Sequence, residues 1–218
     1  MSLADAHLAH FSDAQPHQPQ NEIVDFILET ERLILRDLRE EDWQWFAASF
    51  KDPLAQSHIL SFQSDDQYIE RHFEQVLRVA AQKTRLSYAP CVVLKAENLL
   101  IGSFTLSHTF TGSTQGRIGW HLESLYQGRG YATEAARALL TLAFSHHQVA
   151  RIYAECFANN VASRRVMEKL GMRLHRSGFF LRWLRGINYG EQKPIVRYHI
   201  HQSEWVAGNS QHDNGEQW

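Results

Sequence analysis

Cysteine is scarce in this chain: 218 residues hold only Cys91 and Cys156, far apart. Both sit in apolar surroundings that read as strands. The sequence therefore points to two buried thiols in a reducing cytoplasm, with a disulfide or a catalytic thiol as the alternatives. An excess of charge of one sign is also lacking, with 22 Lys+Arg against 24 Asp+Glu and a formal net charge of −2. That removes a general electrostatic grip on nucleic acid, a local basic patch aside. No apolar run approaches the roughly 20 residues that span a bilayer. Met1–Gln20 lacks the charged-then-apolar pattern of a secretion signal. Neither a membrane nor direct nucleic-acid contact is expected, and the expected location is the cytoplasm. Histidine is plentiful at 13, yet no HExxH and no Cys/His spacing of the zinc type is present. His199 and His201 share one strand face, and His146–His147 end a helix. Two imidazoles without a third ligand make a poor site, so no metal is expected.

What is present is enough for one core. The hydrophobic fraction is 44% and aromatics add to it at 11%, and the length fits a single domain. Residues 1–22, rich in Ala, His, Gln and Asp, read as a flexible leader. Residues 23–206 read as the folded domain, and 207–218 as a polar tail in which Trp218 alone could dock. Phe26–Asp37 holds the first strand, where Leu33 and Leu35 alternate with Arg32, Ile34 and Arg36. Glu40–Phe50 reads as a helix carrying Trp43, Phe46 and Ala47. Asp65 or Asp66 caps a long helix through Arg85, with Ile69, Phe73, Val76, Leu77 and Ala80 at a 3.6 period. Pro90 precedes a strand over Cys91–Ala96. Glu97–Asn98 turns into Leu99–His108, and Gly112–Gly116 turns into Arg117–Glu123, an antiparallel meander.

The pattern changes at Gln127. The segment Gln127-Gly128-Arg129-Gly130-Tyr131-Ala132-Thr133 runs straight into a helix ending near His146, whose inner face is Ala132, Ala135, Ala136, Leu139, Leu140 and Ala143. A strand over Arg151–Phe157 follows. Asn159–Asn160 opens a short helix with Ala162, Val166 and Leu170 on one face, and Gly171 ends it as a C′ glycine. Arg173–Trp205 reads as one or two strands, Ile195–Ile200 the clearest. The fold class is a mixed α/β sheet with helices on its faces.

Strand, QGRGYA, helix is the central feature. Glycines at 128 and 130 let successive N–H groups aim at one point, and the helix adds its unpaired N-terminal N–H groups and positive dipole end. Together they make a cradle for a phosphate or pyrophosphate. The plainer reading is an ordinary tight turn before a helix. A Walker A loop needs a lysine after its glycines, and none is present. A dinucleotide fingerprint needs a third glycine where Thr133 stands, and it opens its fold, whereas here half the chain comes first.

At these residues the sequence resembles the GNAT acetyltransferase superfamily. The acyl-CoA signature Q/R-x-x-G-x-G/A is met by Gln127, Gly130 and Ala132. ETERLILRDLREEDW, IGSFTLSH, GRIGWHLESLYQGRGYATEAARALLTLAF and ANNVASRRVMEKLGM follow one another in order from about Phe26 to Trp205. The set looks most like the group that includes ribosomal-protein N-terminal acetyltransferases. The resemblance implies a mostly antiparallel central sheet splayed between its fourth and fifth strands, here Arg117–Glu123 and Arg151–Phe157, with helices on both faces.

It also implies acetyl-CoA as acetyl donor, with pantetheine against the backbone near Leu122. Gln127, Gly128, Arg129, Gly130, Tyr131, Ala132 and Thr133 would hold the pyrophosphate, and Asn160 would touch the cofactor. Arg129 reads equally as a solvated surface arginine. Chemistry would be direct attack of a neutral amine on the thioester, with no nucleophilic side chain. Glu155, five residues before Asn160, matches the strand glutamate assigned as base in the ribosomal-protein enzymes; a salt-bridged carboxylate is the bland alternative, and His121 and Glu123 compete for the role. Asn160 and Ser163 read either as plain helix capping or as part of the site. Many relatives carry a Tyr acid where this chain has Met167, which cannot donate a proton. Ser163, or water, is left to serve the thiolate. The acceptor implied is a primary amine, first a protein N-terminal α-amine of the ribosomal-protein type. A small amine, held in a closed pocket lined by Trp43 or Trp183, and a non-catalytic acyl-CoA-binding module are the alternatives.

Overall fold

The computed structural model describes residues 26–52, 65–82, 85, 87–108, 114–146, 149–178 and 194–205. The leader over 1–22, the tail over 207–218, Trp183, Trp218 and His147 lie outside the described residues. The segment expected as one first strand is a hairpin of two, β1 (Ile27–Glu29) and β2 (Leu33–Arg36), paired antiparallel through Leu28 and Leu35. Thr30 breaks the run by donating its hydroxyl to Glu134, far along the chain. A 3-10 turn over Glu40–Asp42 leads into α1 (Trp43–Lys51). Asp65 caps α2 (Asp66–Ala80), its carboxylate accepting from the Tyr68 N–H at 2.8 Å. The helix ends at Ala80, not at Arg85, whose guanidinium instead binds the Asp37 carboxylate at 2.7 Å.

The short strand β3 (Ser87–Tyr88) then precedes β4 (Cys91–Leu94), β5 (Leu99–His108) and β6 (Gln115–Leu122). After the loop come α3 (Tyr131–His146), β7 (Arg151–Phe157), α4 (Val161–Lys169), β8 (Arg173–Gly178) and β9 (Ile195–His201), with a helical turn over 202–205. β4 stops at Leu94 rather than Ala96, because Lys95 through Asn98 form the turn and Asn98 takes φ +49°.

The strands form one sheet in the order β1-β2-β4-β5-β6-β7-β9-β8, with β3 beside β5. Every pairing is antiparallel except β6 with β7. α3 crosses over between those two strands, as a parallel pair requires. Strand alternation divides the core in two. On one face Val92, Ile118, Ile152 and Ala154 meet Ala135, Ala136, Leu139 and Leu140 of α3 and Met167 of α4. On the other, Cys91 and Val93 meet Phe46 of α1 and Ile69 and Phe73 of α2. α4 buries Met167 and Leu170 while Ala162 is exposed, so its inner face lies one residue round from the Ala162–Val166 stripe. Gly171, at φ +75°, closes the helix: its N–H reaches the Glu168 carbonyl and that of Met172 reaches Met167.

Candidate active site

β6 and β7 are held together only where Gln115–Arg117 face Arg151–Tyr153. Beyond that β6 continues alone with β5, which it pairs as far as Leu122 with Gly102. β7 continues with β9, as far as Phe157 with Ile195. Each strand follows its own antiparallel partner, and the sheet parts between them. The gap is a cleft of about 490 Å³, lined by Gly119, His121 and Leu122 from β6 and by Ala154, Glu155 and Cys156 from β7.

The loop into α3 forms one end of this cleft, with Gln127, Gly128, Gly130, Tyr131, Ala132 and Thr133 on its wall. Gly128 and Gly130 take φ +76° and +86°, the region that side chains with a Cβ rarely enter. The Gln127 amide donates to the Leu122 carbonyl at 2.9 Å and so ties the loop back to β6. Arg129 does not line the cleft. Its guanidinium lies over the Tyr126 ring, and its carbonyl accepts from Arg32 at 3.2 Å.

Two residues outside the expected set hold this loop. Glu134, in the first turn of α3, accepts from the Thr30 hydroxyl at 2.6 Å, from the Arg32 N–H at 2.9 Å and from its guanidinium at 2.7 Å. Burial would raise the Glu134 pKa, but these bonds outweigh it and hold the carboxyl below its ordinary value. Arg32 also covers the Tyr131 ring at 4.6 Å. Nothing local in the sequence marks a partner about a hundred residues away. Arg165 and Lys169 complete the lining from α4. Their i, i+4 spacing beside Ser163 was the signal available for them.

Asn160 and Ser163 form the helix cap that was one of the two readings of them. The Asn160 Oδ1 accepts from the Ser163 N–H at 3.0 Å and caps α4, and both residues line the cleft. Met167 also lines it, 1% exposed.

The three carboxylate and imidazole candidates differ in what holds them. The Glu155 side chain is fully buried and is bound through Oε1 by Arg197, at 2.7 Å from Nε and 2.5 Å from a terminal nitrogen. Glu123 accepts from the Trp45 indole at 2.6 Å and does not line the cleft. His121 lines it, and its Nε2 is buried with no hydrogen-bond partner among the described residues. Burial holds that imidazole below its ordinary pKa, with the charge of Asp52 opposing. It is therefore neutral at physiological pH, with a nitrogen able to accept a proton.

The thiols are inert. Cys91 and Cys156 are free and buried, and burial first of all pushes each thiol up to about 12. Trp43 packs on Phe73 at 5.2 Å, away from the cleft wall. Among the described residues no group of three or more His, Cys, Asp or Glu side chains could hold a metal ion, and no helix is long and apolar enough to cross a membrane.

A family model described as an acetyltransferase (GNAT) domain matches residues 32–173. The chain is 29% identical over 177 residues to the uncharacterized N-acetyltransferase YnaD of Bacillus subtilis, a match that covers 81% of this chain and 97% of that protein. Its fold is similar to that of a ribosomal-protein-S5-alanine acetyltransferase from Vibrio fischeri, at TM-score 0.68 and 22% identity over 83% of this chain and 99% of that one. It is also similar to RimL, a ribosomal alpha-N-protein acetyltransferase solved in complex with coenzyme A, at TM-score 0.66 and 18% identity over 81% of this chain and 98% of that one.

Proposed function

Because the chain belongs to the acetyltransferase (GNAT) family, we propose that it carries acetyl from acetyl-CoA to a protein N-terminal α-amine of the ribosomal-protein type, in the cytoplasm. The observation that carries this reading is the parted sheet, with a glycine cradle at one end of the cleft and His121 and Glu155 further in. Support for the acceptor is the likeness to two ribosomal-protein acetyltransferases. Two buried free thiols suit a reducing compartment.

The cleft fits the donor. The N–H groups from Gly128 to Thr133, the start of α3, and the cations of Arg165 and Lys169 suit a pyrophosphate-bearing chain. Leu122 and its neighbours offer strand-edge amides to the pantetheine arm. Asn160 braces the wall beside it. Acetyl-CoA supplies the acetyl group as a thioester. The acceptor nitrogen, neutral when it attacks, forms the C–N bond as the C–S bond breaks. Glu155, held still by Arg197, faces the amine and orients it. The proton shed by nitrogen passes to the open Nε2 of His121 or along Glu155. Ser163 hydrogen-bonds the departing sulfur, and its proton comes through that hydroxyl or from water, since Met167 offers none.

The test is acetyl transfer by the full chain to a panel of N-terminal peptides and small amines, followed by thiol release. It is run beside thermal shift with acetyl-CoA, ATP and NAD. Stabilisation by acetyl-CoA alone and turnover of peptide α-amines are expected. Turnover confined to small amines would remove the protein acceptor. Stabilisation by ATP or NAD and not by acetyl-CoA would overturn the whole reading.

A further inference from the structure

Pairing register carries one face of the sheet from the cleft outward. Ser103 faces His121, Arg117 faces Tyr153, Tyr153 faces His199, Glu155 faces Arg197, and Arg151 faces His201. This is the face of Cys91 and of helices α1 and α2, opposite the face on which α3 and α4 pack. A donor seated in the glycine cradle enters from the α3 side. The acceptor amine is left to approach from the other, across this strip.

The strip is rich in arginine. Arg117, Arg151 and Arg197 lie along it, and at its outer margin Arg173 of β8 pairs with Glu204. Glu155 is the one carboxylate that strand register puts on it among the described residues of β6, β7 and β9. Arg151 has no carboxylate within ion-pair distance among the described residues. Arg197 lies over the Tyr153 ring at 4.5 Å while it holds Glu155. His175, His199 and His201 stand edge to face at 4.8 and 5.2 Å. The His199 Nδ1 is buried without a hydrogen-bond partner among the described residues. Burial chiefly, then His175, His201, Arg151 and Arg173, hold the His199 imidazole below its ordinary pKa.

We propose that this strip binds the acidic part of the acceptor, so that the enzyme selects N-termini followed by Asp or Glu over N-termini followed by Lys or Arg. The inference rests on the acetyl-transfer reading and adds the substrate class. Distance sets the register. Glu155 and Arg151 are four residues apart on β7, about 13 Å at strand rise. A peptide stretched along the strip with its amine at Glu155 brings its fourth or fifth residue to Arg151. An acidic side chain there meets Arg151, and one at the second or third residue meets Arg197 and His199.

The experiment compares twin peptides, Ala-Ala-Ala-Glu-Glu against Ala-Ala-Ala-Lys-Lys at their N-termini, with the full chain and acetyl-CoA. We expect kcat/KM about 10-fold or more higher for the acidic twin at low salt, the ratio shrinking as salt screens the strip. Arg151→Glu should reverse the order while CoA affinity stays as in the parent. Arg151→Gln, milder to the fold, should flatten the ratio. Equal or better turnover of the basic twin by the parent protein overturns the inference. Should no peptide be turned over, the protein-acceptor reading falls, and binding of the N-acetylated twins to CoA-saturated protein decides the inference separately. Tighter binding of the acidic twin upholds it, and equal or weaker binding overturns it.

Discussion

At the scale of single residues the cleft separates its two candidate bases by what already holds them. Glu155 gives one oxygen to Arg197, whereas the Nε2 of His121 is open. His121→Gln should cost kcat about 10²–10⁴-fold, the usual contribution of a positioned base. The sign of the pH effect follows from burial. A lowered imidazole pKa keeps the base deprotonated below the ordinary 6.5, so the acid limb of kcat belonging to His121 should lie below that value and vanish in His121→Gln. Glu155→Gln should raise KM for the amine more than it lowers kcat, because the neutral amide still faces the amine but no longer attracts it. A kcat loss confined to Glu155→Gln would return the base role to the carboxylate.

The glycines make the second residue-scale prediction. Gly130→Val puts a branched side chain at φ +86° with its Cβ 3.4 Å from Arg32. Strain of about 1–3 kcal/mol should raise the Kd for CoA roughly 10-fold or more. Gly128→Ala, with nothing within 4 Å of the added Cβ, should cost less. Calorimetric titration with CoA measures both. These glycines could be read from the chain, since their spacing before a helix is a local signal. The hold of Arg197 on Glu155 could not, because the two meet across a strand pair whose register the sequence does not state.

Among elements, α4 depends on one cap. Asn160→Ala removes the acceptor for the Ser163 N–H and should cost about 1 kcal/mol of stability, read as a lower midpoint in urea. Asn160→Asp keeps the acceptor and should cost far less, while placing a negative charge on a wall meant for a phosphate-bearing ligand. The two variants should therefore part company: the first less stable, the second weaker in CoA binding. Elements with strong period were legible. On the inner face of α3, Ala135, Ala136, Leu139, Leu140 and Ala143 are buried as their spacing implied, while Ala132, at the cleft wall, is half-buried. The Phe26–Asp37 hairpin was not legible. Its break at Thr30 exists to meet Glu134 across the fold, and no turn residue announces it. α4 misled by one residue, since Met167 outweighs Ala162 in apolar area and takes the core position.

For the molecule as a whole, half-buried imidazoles set its response to acid. His72, His121 and His199 all have pKa values lowered from 6.5, burial being the leading cause in each. The unfolded chain takes up protons near 6.5 and the folded one resists them. Stability is therefore complete above that pH and falls as pH drops below it. Glu134, held below 4.5 by Thr30 and Arg32, and Asp42, held below 3.8 by Arg36 and Arg39, both despite burial, add a second loss below those values. Melting temperature from about pH 8 to pH 3 should decline in two stages. A flat profile between 7 and 5 would show that the imidazoles titrate freely. Fold class was readable because meander, cradle and helix follow one another in order. The joining of the β1–β2 hairpin to the start of α3 was not, resting as it does on Arg32 and Glu134, 102 residues apart.

A sheet that parts in its middle carries two edges inside itself. Outer edges are where strands from other molecules add on and aggregation begins, and β1, three residues long, is a poor template for that. The inner edges, β6 beyond Arg117 and β7 beyond Tyr153, are longer and bare of strand partners. Each is shielded by the other half of the sheet, by the loop at Gly128–Gly130 and by α4. The divergence that opens the cleft is shielded in the same stroke, so the protein stands without polymerising through its own centre.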